Sequence, residues 1–443
     1  MNRHLWGLLC VAIACSGSRA TEGPVAGQVK QSSIDKGIPA DLALAIAVVE
    51  GGLKLPRFRD VDPADEVPVA GILELRHGAF NSLARGAELL GVSEETLRRD
   101  RDLGTEAGLR VLAEVAERFK ARADDINSYQ DVIEELSGLG TASMRSRYAA
   151  EVYTVLKNGG TFAARGNEAV RIEPRPDVEI SALREDSGGG EVPDYLGAIW
   201  IPTRCDGKCT YGRPDGIAAV DTVVIHDTEG GWYASVATLQ YDLGKSVHYI
   251  VDADGSRVGQ FLHEVDTAWH AGNWFYNKHS IGIEHVGFAA DPLGYDTNLY
   301  WRSVDVVQNI LTRWPNIRLN RNQVVGHYQV PNGSRIPQSS PPCGERLSTC
   351  EASPNYGGAS SHRDPGVHWQ WCQYLERLGG DCTCNDAYAH WNCTTDHTEA
   401  VRCAGGVIVR DGPVEIDHCE KGCIDQPIGV DDICQHAEAS FRP

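Results

Sequence analysis

Positive charge is scarce in this chain. Its 41 lysines and arginines face 61 aspartates and glutamates, a formal net charge of −20 over 443 residues. Nucleic-acid backbones are bound by clustered Lys and Arg, so this balance argues against nucleic acid as a partner. It argues equally against an anionic membrane surface. Long apolar runs are also missing. The stretch from Leu5 to Cys15, behind Arg3 and His4, is too short to span a bilayer as a stable helix. No later segment is long and apolar enough to cross a membrane. Strand signals are nearly absent between Ser32 and Gly160. The length predicts two or three domains, and the ordinary hydrophobic content permits sizeable cores.

Residues 1–20 read as an export signal. Cleavage after Ala20, at Ser18-Arg19-Ala20, and cleavage before Cys15, at Ala12-Ile13-Ala14-Cys15, both stay open. The second resembles a bacterial lipoprotein signal, with Ala12 where Leu is usual. The expected location is outside the cytoplasm: periplasm, outer-membrane lipoprotein or secreted. A lipid anchor at Cys15 is then the sole route to a membrane. Cys10 and Cys15 lie in the signal, and the other twelve of the fourteen cysteines favour disulfides in an exported chain.

Composition changes three times along the chain. Residues 28–161 read as a helical domain: Asp41 to Glu50 carries Pro39 and Asp41 at its start and Gly51-Gly52 at its end. Arg85 to Leu90 and Ser146 to Leu156 read the same way. Residues 162–195 read as a linker broken by Pro174, Pro176, Gly188 to Gly190 and Pro193. Residues 196–378 alternate strands and helices. Thr222 to Ile225, Ser280 to Ile283 and Val324-Val325 are strands, and His248 to Phe261 is a hairpin turning at Asp254-Gly255. Val304 to Trp314 and Val367 to Leu378 are helices, with Asp364 as N-cap and Pro365 in first position for the second. Residues 379–443 hold seven cysteines, from Cys382 to Cys434, and predict a small disulfide-stapled module. Seven is odd, so Cys372 is the expected partner of one. A zinc knuckle on Cys382-Thr-Cys384 is the rival reading. The fold class is therefore multidomain: all-α, then α/β with a mixed sheet flanked by helices, then a cysteine-rich module.

Nine of the fifteen histidines fall between His226 and His368. A zinc hydrolase needs three protein ligands and an open position for water. His226 ends one predicted strand, His327 follows another, and Asp364 sits in His362-Arg-Asp-Pro-Gly366. Strand ends are rigid platforms that can point several side chains at one spot.

Six segments occur in this order: Asp221-Thr-Val-Val-Ile-His-Asp-Thr228, Val247-His-Tyr-Ile-Val-Asp-Ala-Asp-Gly255, Ala268-Trp-His-Ala-Gly-Asn273, Ser280-Ile-Gly-Ile-Glu284, Val324-Val-Gly-His327 and Arg363-Asp-Pro-Gly366. Together they resemble the type 2 N-acetylmuramoyl-L-alanine amidases, which share a fold with animal peptidoglycan recognition proteins. The resemblance covers about residues 199–378. It implies a Zn2+ cofactor on His226, His327 and Asp364, and Glu284 as the catalytic general base. It implies His362 as the second catalytic group, at an oxyanion-stabilising position where the family often has Lys. His270 and Asn273 would line the substrate pocket, with His248 and Tyr249 in the hairpin core or the groove wall. Peptidoglycan is the implied partner. The stretch between His327 and Asp364, with Cys343 and Cys350, is longer than in relatives. A non-catalytic peptidoglycan receptor is the alternative on the same fold.

The helical region is similar to the lysozyme-like domain of lytic transglycosylases at Gly37 to Glu50, Ala70-Gly71-Ile72 and Gly86 to Leu90. That likeness would make Glu50 a general acid at a second site and the chain a bifunctional hydrolase. Gly51 stands where Ser normally follows the acid, and Leu73-Glu74 where Met-Gln is usual. These departures favour a degenerate domain that only grips glycan.

Overall fold

Eight residues of small or aliphatic type and one terminal acid make the central helix of the N-terminal part. In the computed structural model this helix is Leu42–Glu50 (α2), with Leu42 to Ala47 fully buried. It is apolar all round because it is surrounded. Gly51 ends it in the left-handed conformation, φ 85°. The structure describes residues 24–54, 67–164, 168–186, 191–291, 294–320, 323–330, 362, 364–366, 368–380, 391–393, 399–403, 414–424 and 431–436. The export signal, Cys343, Cys350, Cys382 and Cys384 lie outside them, as does the Cys372 side chain.

Around α2 pack Pro24–Asp35 (α1), Ser82–Leu90 (α3), Glu94–Arg99 (α4), Arg101–Phe119 (α5), Gln130–Leu136 (α6) and Ala142–Asn158 (α7). Asn81, Ser93, Asp100 and Thr141 cap α3, α4, α5 and α7 with side-chain hydrogen bonds. The predicted linker begins as structure. Gly160–Ala164 (β1) and Glu168–Ile172 (β2) form an antiparallel hairpin, and Val170, Ile172 and Val178 are buried in the helical core.

The middle of the chain builds a six-stranded mixed sheet. Its strands are Ile199–Trp200 (β3), Thr222–Ile225 (β5), Tyr249–Val251 (β6), Val258–Gln260 (β7), Ser280–His285 (β9) and Val324–Gly326 (β10), in the order β10-β5-β9-β6-β7-β3. The first four in that order are mutually parallel, and β7 runs antiparallel to β6. Cys209–Thr210 (β4) and Thr267–Ala268 (β8) pair beside it, next to a Cys205–Cys209 disulfide. One face carries Val223, Ile225, Ile281, Ile283 and Val324 under Thr297–Arg313 (α10) and Trp371–Leu378 (α11). The other face receives Trp232–Tyr241 (α8) and Trp274–His279 (α9).

One expected start is corrected. Helix α11 begins at Trp371 behind Gln370, so Asp364 is not its N-cap; it lies in a turn upstream. The helical part and the sheet share one apolar core, which runs from α2 and α7 through Trp232, Tyr233 and Val236 of α8 to Ile250. At the C-terminal end Asn392–Cys393 (β11), Glu399–Cys403 (β12) and Val414–His418 (β13) form a small sheet, and Cys423–Ile424 (β14) pairs with Ile433–Cys434 (β15). Disulfides Cys393–Cys423 and Cys419–Cys434 staple it.

Candidate metal centre

Parallel register sets the site. Val224 pairs with Val325 and with Gly282, and Ile225 pairs with Gly326 and with Ile283. One residue further, His226, His327 and Glu284 therefore stand level on three adjacent strands, at their C-terminal ends. Alternation puts all three on the face that also carries Val224, Val325 and Gly282. The ladder continues through His226, whose N–H bonds to the Ile283 carbonyl at 2.9 Å, and whose carbonyl accepts from the His285 N–H at 3.1 Å.

Asp364 reaches the same point from the turn before α11. Its backbone carbonyl accepts from the Tyr328 N–H, which ties that turn to β10. His226 Nδ1 lies 2.9 Å from Asp364 Oδ2 and 3.1 Å from His327 Nδ1, and His327 Nδ1 is 3.2 Å from Asp364 Oδ2. All three side chains are at most 3% exposed. Tetrahedral zinc with bonds of about 2.0 Å has ligand edges of about 3.3 Å. The three donor atoms nearly have that spacing already, and two imidazoles with one carboxylate are a donor set zinc accepts. The residues fit the ion.

Protonation agrees. Burial holds the His327 imidazole below its usual range, so it is neutral, the form a ligand needs. Burial alone would push the Asp364 carboxyl up, but His327 and His226 beside it outweigh that and hold it well below the usual carboxylate range.

The other expected residues separate. His362 stacks on His327, ring centroids 3.8 Å apart at 20°, which places it at the rim of the centre. Glu284 is half-buried on β9 beside His226. His270 is in the cluster: its Nδ1 lies 2.9 Å from His226 Nε2. Asn273 caps α9 through Phe275 and Tyr276 N–H groups. The groove-wall expectation for Tyr249 does not hold. It is fully buried on the opposite face of the sheet, with its hydroxyl donating to Glu264 at 2.6 Å. His248 is fully buried too, its Nδ1 accepting from the Gly282 N–H.

Glu50 is buried at the end of α2 rather than open to a groove among the described residues. It is 2% exposed. Its Oε1 accepts from Arg76 and, at 2.6 Å, from the Tyr148 hydroxyl. A Cβ added to Gly231, at the start of α8, would sit 2.3 Å from the Glu50 carbonyl oxygen, so the sheet domain presses directly on this helix end.

Sequence reading missed two supports of the centre. His285 Nδ1 lies 2.9 Å from the His226 carbonyl, and Ser303 and Tyr374 continue from its Nε2. Burial pushes its pKa down to about 3, so it is a neutral donor to the ligand's backbone. Ser280 touches His270. The period-two spacing Ser280, Gly282, Glu284 was the available signal for the second.

The sequence pattern of the family described as N-acetylmuramoyl-L-alanine amidase matches residues 216–341. That span holds His226, Glu284 and His327 and stops short of His362 and Asp364. N-acetylmuramoyl-L-alanine amidase A of Achromobacter lyticus is 24% identical over 191 residues, 42% of this chain and 96% of that protein. Among solved structures, AmpDh3 from Pseudomonas aeruginosa is 25% identical with a TM-score of 0.28, over 40% of this chain and 65% of that one. The chain thus spans just under two thirds of that structure's length. A selenomethionine derivative of AmpD is 22% identical with a TM-score of 0.28, over 42% of this chain and 96% of that one.

Proposed function

Through its central domain the chain belongs to the type 2 N-acetylmuramoyl-L-alanine amidase family, and from that premise we propose that it uses zinc to hydrolyse the amide between N-acetylmuramic acid and L-alanine in bacterial peptidoglycan. One observation carries this reading: His226, His327 and Asp364 bring three donor atoms within 4.8 Å of one another, buried, with Glu284 level beside them.

His226, His327 and Asp364 would hold the ion. Zinc, when bound, supplies the Lewis acidity that makes hydroxide available near neutral pH. Glu284 takes the proton of the attacking water and passes it to the leaving L-alanine nitrogen. His362, stacked over His327, donates to the oxygen of the lactyl carbonyl as negative charge develops there. The presence of all three donors, with Glu284 beside them, favours catalysis over the binding-only receptor reading. Export to the cell wall compartment, with or without a lipid anchor at Cys15, belongs to the same reading. So does a lysozyme-like ancestry for residues 28–161, retained as a support for the amidase domain.

The test is digestion of purified peptidoglycan, with released fragments identified by mass. Free stem peptides beginning with L-alanine are expected, lost on chelation and restored by zinc. Glu284→Gln should lower turnover by roughly 10²–10⁴ with zinc still bound. Full stem release by protein shown to be metal-free would overturn the reading.

A further inference from the structure

A histidine that binds metal through one ring nitrogen must carry its proton on the other, and what holds that proton decides whether the ligand is ready. In His226 the nitrogen facing His327 and Asp364 is Nδ1. The far nitrogen, Nε2, meets another imidazole, His270 Nδ1, at 2.9 Å. A neutral imidazole accepts at one nitrogen and donates at the other, so the pair is ambiguous until something fixes His270.

Ser280 fixes it. Its hydroxyl lies 2.5 Å from the Tyr276 backbone carbonyl, which can only accept, so the single hydroxyl proton is used there. The contact of Ser280 Oγ with His270 Nε2, 3.1 Å, must then have the ring as donor. With its proton on Nε2, neutral His270 offers a lone pair at Nδ1 and takes the Nε2–H of His226. Nδ1 of His226 is left with its lone pair pointing at the two other donors.

The surroundings hold His270 in this role. Its backbone N–H and that of Ala271 both bond to Asn277 Oδ1. Its ring lies over Gly282, where a Cβ would come 2.6 Å from His270 Cγ. From this geometry we propose that His270 is a positioning residue: the relay Tyr276 carbonyl, Ser280, His270 presets the tautomer of the metal ligand His226. The inference rests on the zinc reading of His226, His327 and Asp364.

Two measurements test it, neither of them activity. The first is zinc affinity by chelator competition, with thermal melting to confirm folding. His270→Leu fills the space without an acceptor and should weaken zinc binding about 10–100-fold, the usual cost of losing an outer partner. His270→Asn places an amide oxygen near the Nδ1 position and should bind within a few-fold of the parent chain. Ser280→Ala should fall between them. The second is the ring-nitrogen NMR spectrum of the metal-free parent chain, in which His270 should carry its proton on Nε2. Equal zinc affinity in the Leu and Asn variants, or a proton on His270 Nδ1, overturns the relay. If the parent chain takes up no zinc, the metal reading fails by itself, and the NMR spectrum still decides the relay.

Discussion

At the scale of single residues, His362 is where this chain parts from a common family pattern, and its position makes the departure testable. A lysine would bring a point charge on a flexible stem. The imidazole instead lies flat on the His327 ring at 3.8 Å, and the Gly272 turn runs close to its Nε2. A stacked ring has a fixed direction for its N–H, so it can serve one oxyanion position well. His362→Ala should lower turnover by about 10²-fold, on the order of losing one oxyanion donor. Zinc content should not change, because His226, His327 and Asp364 remain. His362→Lys should recover part of the loss. Parent-like turnover in both variants, measured on purified peptidoglycan, would make His362 no more than a cover for the ligand ring.

At the scale of elements, legibility followed periodicity. Thr222 to Ile225, Ser280 to Ile283, Val324-Val325 and the hairpin from His248 appear as strands because they are short apolar runs bounded by turn residues. With them came His226 and His327 as strand-end residues, while their common level needed the pairing of the strands. Some helices were not picked out one by one, and two of them show why. Helix α8 is buried from Trp232 to Leu239, between the sheet and the helical domain, so it has no polar stripe to reveal its period. Helix α5 contains Gly104 and Gly108, residues of low helix propensity. In the fold Gly104 admits another backbone, since a Cβ there would lie 2.6 Å from the Gly71 nitrogen, whereas a Cβ on Gly108 would meet the Leu73 side chain at 3.3 Å. The Ser280 to His226 relay was illegible because it joins residues on different elements. A glycine's environment therefore predicts the sign of its replacement. Gly231→Ala drives a methyl group into the Glu50 carbonyl where α8 meets α2, and should cost about 1–3 kcal/mol, the usual penalty of overpacking. Gly27→Ala in α1 meets nothing within 4 Å and should gain about 0.5–1 kcal/mol from helix propensity. Denaturant midpoints that move in the same direction for both would contradict this account.

At the scale of the whole molecule, the junction between helical and sheet domains encloses two carboxyl groups and one guanidinium. Glu50 and Arg76 pair directly. Glu74 is 1% exposed, and neither of its carboxyl oxygens has a hydrogen-bond partner among the described residues. The groups facing this centre are Tyr148 and Glu151 of α7, Tyr233 of α8, and the Gly231 backbone, whose added Cβ would lie 3.3 Å from Glu74 Oε2. Burial, then the nearby Glu50 charge, raises the Glu74 carboxyl well above its ordinary 4.5, and burial raises Glu50 as well. A raised folded pKa means that the folded chain holds the proton more tightly than the unfolded one. The stability this contributes is complete below pH 4.5 and is lost as pH rises through the folded value of Glu74. Ionised Glu74 is thus a buried charge whose neighbour has already taken the available cation. Glu74→Gln keeps the shape and removes the charge. The variant should melt at a higher temperature than the parent chain at pH 8, and the difference should shrink towards pH 5, where both carry a neutral side chain. A melting difference that is the same at both pH values would show that Glu74 is not neutralised in the parent fold, and that the junction tolerates its charge by some contact other than Arg76.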